Sequence, residues 1–98
     1  MNDHSYETSL LTEFEGMYFD QPFPMMVFDE YYIPEGVTQN ALIVGPGKSG
    51  AQEIFQQLEK QHGALNGKSI RLKGTLYTTD NKTLIELSQG VDALLAIE

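Results

Sequence analysis

Polar and apolar positions alternate with a period of two over most of this chain and shift to a helical period only in its middle. Between Thr12 and Phe19 the alternation Glu13, Phe14, Glu15 passes over Gly16 into Met17-Tyr18-Phe19, which predicts a strand bulged or bent at the glycine. Asp20-Gln21-Pro22 is turn chemistry. Pro24–Phe28 reads as a second strand, with Pro24 at the first position, where a missing N–H is tolerated. Pro34-Glu35-Gly36 predicts a turn and Asn40–Val44 a third strand. In Ala51–His62, Ile54, Phe55 and Leu58 form one apolar stripe, with Gln52, Gln56, Lys60 and Gln61 on the other side. Ser49 is the predicted N-cap of a helix opening near Gly50 or Ala51, and Gly63 its stop. Residues 1–10 show no period and read as a flexible tail or a short helical lead-in through Leu10-Leu11, leaving residues 11–98 as a single domain.

The clearest pattern is a hairpin. Ile70–Tyr77 alternates faces, Asp80-Asn81 makes a two-residue turn, and Thr83–Leu87 returns. With Thr79 opposite Lys82, Leu76 meets Ile85 and Gly74 meets Leu87 on the core face. Tyr77 then meets Leu84, and Thr75 meets Glu86, on the other face. Val91–Ile97 fits either a short strand or a helical turn. The order is β-β-β-α-β-β, a mainly β, α+β chain whose plan and length fit a five-stranded, partly open OB-like barrel with the helix between strands three and four. Gly16 and Gly74 would be the bends that let long strands cross a small barrel. The alternative is an α+β sheet with the helix on one face.

Charge changes the picture of partners. All six basic residues follow position 47, whereas Asp3, Glu7, Glu13, Glu15, Asp20, Asp29, Glu30 and Glu35 precede it, and the net charge is -8. Such a field repels nucleic acid and anionic lipid at long range, although a local basic strip escapes this because salt screens beyond about 10 Å; solubility is the favoured reading of the charge over a surface for cations or a basic partner. The chain has no cysteine, so disulfides and thiolate metal sites are excluded. No apolar run approaches a spanning helix and the start lacks a leader pattern, so the chain as given reads as soluble and cytoplasmic, without membrane insertion.

The segment Gly45-Pro46-Gly47-Lys48-Ser49-Gly50 joins strand to helix, where amides of Gly47, Lys48, Ser49 and Gly50 and the Lys48 ammonium form a candidate anion or nucleotide site. It does not complete a phosphate-binding loop, because the first glycine of that motif would fall on Leu42. Gly47-Lys48-Ser49-Gly50-Ala51 also approaches a nucleophile elbow. Yet His62, the sole histidine downstream, is about 20 Å away along a continuous helix. The plainer reading is a turn shaped by its glycines. Arg71, Lys73 and Tyr77 share one strand face, pairing basic heads with an aromatic as single-strand nucleic-acid binders do, although Glu86 lies near enough to compete. His4 and His62 are isolated, and Asp29, Glu30 and Glu35 lack the spacing of a calcium loop, so neither metal nor cofactor is expected. Met25-Met26 and Tyr31-Tyr32 read as core and edge packing.

Three stretches together resemble a small bacterial OB-like domain of no established activity. They are Gly45-Pro46-Gly47-Lys48-Ser49-Gly50-Ala51, Gly67-Lys68-Ser69-Ile70-Arg71-Leu72-Lys73-Gly74-Thr75-Leu76-Tyr77 and Thr83-Leu84-Ile85-Glu86-Leu87. The resemblance spans Ala41–Ser88, and such domains are carried by bacterial proteins with membrane segments, which implies the soluble part of a membrane-associated protein as the other location. The function expected is a non-enzymatic accessory module binding an unknown protein partner, with self-association as another outcome. Anion or nucleotide binding at Gly45–Gly50 is the alternative, and weak single-stranded nucleic-acid binding the second.

Overall fold

The computed structural model describes residues 11–28, 40–79 and 82–98. The expectations for residues 1–10, Asp29-Glu30, Tyr31-Tyr32, Pro34-Glu35-Gly36 and Asp80-Asn81 lie outside these residues. Strands β1 (Leu11–Phe19), β2 (Met25–Val27) and β3 (Asn40–Val44) are followed by helix α1 (Gln52–His62). Strands β4 (Ser69–Thr79), β5 (Lys82–Glu86) and β6 (Leu94–Ile97) complete the order. The period-two pattern puts Phe14, Tyr18, Met26, Ile43, Leu72 and Ile85 inside, where each is almost wholly removed from water.

Neighbouring strands form a ring. β1 pairs antiparallel with β2, β2 with β3, β5 with β4 and β4 with β1, while β3 and β5 run parallel. This is a five-stranded mixed barrel with one helix, OB-like as the order implied, and its ring of pairings closes where a partly open one was expected. Closure follows from strand length. β1 pairs with β4 through Leu11–Met17 and with β2 through Met17–Phe19, and β4 likewise serves β1 up to Thr75 and β5 from Thr75 onward. The two glycines stand at these handovers. A Cβ on Gly16 would lie 2.7 Å from the Val27 carbonyl oxygen, and one on Gly74 2.7 Å from Ile85 Cγ2, so only glycine lets the crossing strands approach this closely.

The hairpin keeps the predicted register, with Thr79 opposite Lys82, Tyr77 opposite Leu84, Leu76 opposite Ile85 and Thr75 opposite Glu86. The ladder ends at Thr75 with Glu86, so the expected pairing of Gly74 with Leu87 is not made, and the Leu87 N–H donates to the Val44 carbonyl of β3 at 2.8 Å. The closing segment is both things the sequence allowed: a 3-10 turn over Gly90–Ala93, then β6, which pairs with β4 and carries a bulge between Ala96 and Leu94.

Helix α1 turns Phe55 and Leu58 into the core and ends at Gly63, whose N–H donates to the Glu59 carbonyl. Its start differs from expectation. Ser49 is not the N-cap; Ala51 holds that position with no side-chain cap. Pro46–Lys48 winds into a 3-10 turn in which Gly47 and Lys48 take left-handed φ values of 68° and 63°, and Gly50 bridges back to Val44. The helix therefore begins only at Gln52, and the Ser49 hydroxyl instead donates to the Pro46 carbonyl at 2.8 Å. Among the described residues no helix is long and apolar enough to cross a membrane.

Candidate functional site

The outer face of the barrel carries a row that the alternation alone did not assemble. Phe19 stands opposite Met25, Met25 opposite Leu42, Leu42 opposite Leu84, and Leu84 opposite Tyr77, so five large side chains from five strands follow one another across the surface. All five are partly exposed. Directly opposed residues on one face are within contact reach, which makes the row a continuous apolar ridge.

The ridge ends in a polar cluster that joins one residue from each of the two sequence-predicted sites. Lys48 Nζ lies 4.2 Å from the centre of the Tyr77 ring, a cation–π contact. Glu86, on β5 beside the end of β3, links the same elements: its Oε2 accepts the Gly47 N–H at 2.6 Å and its carboxylate accepts the Tyr77 hydroxyl. That hydrogen bond, with a little burial, raises the Tyr77 phenol above its ordinary value. Glu86 is the residue that sequence reading missed as an anchor, although the register opposing it to Thr75 and the strand order opposing it to Val44 place it beneath the loop.

The loop amides are largely directed within the chain. Gly47 donates to Glu86, Lys48 to the Gly45 carbonyl at 2.9 Å and Ser49 to the Pro46 carbonyl at 3.3 Å. Arg71 and Lys73 belong to the Tyr77 face but are set apart from its cluster. The β1 register places Glu15 opposite Arg71 and Glu13 opposite Lys73, and Arg71 lies 3.9 Å from Glu98. Ser49 and His62 flank an unbroken helix of about 16 Å.

A concavity opens between α1 and the turn after β1. Tyr18 stacks on Phe55 at 4.2 Å with the rings 16° from parallel, and both are buried. Burial, followed by the negative charges of Asp20 and Glu59, pushes the Tyr18 phenol far above its ordinary value. A raised phenol contributes stability fully below its unfolded value of about 10 and loses it as pH climbs toward the folded value. Melting temperature is therefore expected to hold to about pH 9.5 and fall beyond, and to fall less steeply in Tyr18→Phe; parallel slopes in thermal melts would contradict this.

The fold is a small OB-like barrel whose outer face carries a partly exposed apolar row. Compared with protein-family models, curated proteins and solved structures, the chain matches none of them.

Proposed function

We propose that this domain is a non-enzymatic accessory module that binds another protein through the outer face of β1, β2, β3, β5 and β4. The observation that carries the reading is the ridge Phe19, Met25, Leu42, Leu84 and Tyr77, whose members are direct cross-strand neighbours and only partly covered. Aromatic residues and methionine are enriched in protein interfaces, and an apolar centre with a polar rim is their usual plan. Here the Lys48, Tyr77 and Glu86 cluster supplies the rim at one end. The five strands of the ring are paired on both sides, so on this face side chains rather than an added strand carry the contact.

The surroundings of the other candidates support this order. Arg71 and Lys73 face carboxylates across β1, which discounts them for a polyanion already repelled by a net charge of -8. The Gly47 amide that would greet a phosphate is held by Glu86.

A photo-crosslinking amino acid placed at Leu84, and separately at Gln57 on the exposed side of α1, tests the reading in cells. Adducts to one defined protein are expected from position 84 and not from 57, and Leu42→Lys should abolish them. Equal labelling from both positions, or none from 84, would overturn it.

A further inference from the structure

We infer that the outer edge of β6 receives an extended segment of another protein as an added antiparallel strand, with apolar side chains in its middle and basic ones at its ends. This contact goes beyond the ridge and does not depend on it. Each strand of the ring has neighbours on both sides, whereas among the described residues β6 pairs with β4 alone. The ladder shows which main-chain groups this leaves over. The Glu98 N–H donates to the Ser69 carbonyl at 2.8 Å, so Ile97, one position back and opposite Ile70, turns its N–H and C=O away from β4. The far side of β4 agrees: the Tyr18 N–H donates to the Lys68 carbonyl, and the alternation then commits the main-chain groups of Ile70 to Gly16 of β1. A donor and an acceptor left together on a strand edge are what strand addition uses.

The side chains of this edge invite pairing. Leu94-Leu95-Ala96-Ile97 contains neither a charge nor a proline, the usual guards of an exposed edge. None of the four is fully buried, and Leu95, the extra residue of the bulge, is 42% exposed. The bulge bends the strand at its start, so the regular part open to a partner runs from Leu95 to Glu98.

Charge decides between occupants. Asp92 and Glu98, both exposed, stand at the two ends of the apolar stretch. A second copy pairing about Leu95 would set Asp92 of one chain opposite Glu98 of the other, like charge on like, between two molecules of net charge -8. A segment with lysine or arginine at each end meets the same two carboxylates favourably. Arg71 approaches Glu98 only to 3.9 Å, with both side chains nearly half exposed, which leaves that carboxylate open to a second cation.

The test is a titration of the labelled whole chain, followed by amide shifts, with a blocked heptapeptide carrying lysine at both ends and alternating valine and threonine between. Saturable shifts are expected at Leu95, Ala96, Ile97 and Glu98, with slowed hydrogen exchange of the Ile97 amide. The same peptide N-methylated at every valine and threonine keeps its side chains and charge, loses its central donors and should not bind. The double variant Asp92→Asn with Glu98→Gln should bind the lysine peptide about threefold more weakly, the scale of exposed ion pairs. Unmoved β6 amides, equal binding of the N-methylated peptide, or full affinity in the double variant would each overturn the inference. Shifts at the same amides on raising the protein concentration alone would assign the edge to a second copy and overturn it as well. Leu84→Lys should leave this titration unchanged while abolishing crosslinks at the ridge, so failure of the edge and failure of the ridge are told apart.

Discussion

Gly74→Ala is expected to lower the melting temperature by about 10–20 °C, the effect of roughly 2–3 kcal/mol of overpacking in a domain this small. The new methyl carbon would sit 2.7 Å from Ile85 Cγ2 and 2.8 Å from the Glu86 carbonyl oxygen. Neither can yield cheaply, because Ile85 is fully buried and Glu86 belongs to the backbone of β5, parallel to β3 and antiparallel to β4. Gly50→Ala is the matched control. Its Cβ meets only the far end of the Gln52 side chain, which can swing away, so its melt should stay within a few degrees of the parent. If the two variants melt alike, the close crossing of β4 and β5 is wrong. Function gives the result a second readout, since Glu86 also holds the Gly47 loop at the end of the ridge.

Phe55→Ala is the second large effect, with an expected cost of about 3–5 kcal/mol against a total stability on the order of 5–15 kcal/mol. Phe55 is buried in the core and stacked on Tyr18, so its removal leaves a cavity between helix and barrel. Amide exchange should show Gln52–His62 losing protection before β4 and β5 do. The helix would then hold to the core only through Leu58, its other buried residue, and the partly buried Ile54. Phe55→Leu, which keeps part of the volume, should cost clearly less. Uniform loss of protection across helix and strands would mean that α1 is not a separately detachable layer.

Local pattern carried much of this fold. The β4–β5 register was legible because alternation on both strands fixes which residues face inward, and a one-residue slip would have turned Leu76 and Ile85 to water. Gly16 and Gly74 were legible as bends, since a glycine inside an alternating run has no packing reason to be there. The parallel pairing of β3 with β5 has no local signal, because a crossover connection leaves no turn motif behind. Ser49 fails as a cap for a related reason. Capping depends on backbone geometry, and the left-handed pair Gly47 and Lys48 spends three residues before the helix can open.

The candidate surface was legible in its parts and not in its assembly. Lys48 and Tyr77 each stand out in the sequence on separate grounds, yet their contact depends on the strand order that brings the β3 exit beside β4 across β5. Alternation alone groups Arg71 and Lys73 with Tyr77, whereas β1, distant in sequence, places Glu15 and Glu13 opposite them. The ridge required knowledge of all four lateral neighbour relations at once. A single strand shows one of its residues and gives no hint of the other four.

The seam between β1 and β4 sets the order of events when the chain is made. Leu11 finds its partner at Thr75, so while the Met17–Phe19 end of β1 can meet β2 at once, its Leu11–Gly16 part has nothing to zip against until β4 has been made. Distant pairings of this kind place a barrel among the slower folders, in milliseconds to seconds, and leave a newborn first strand waiting with its edge open.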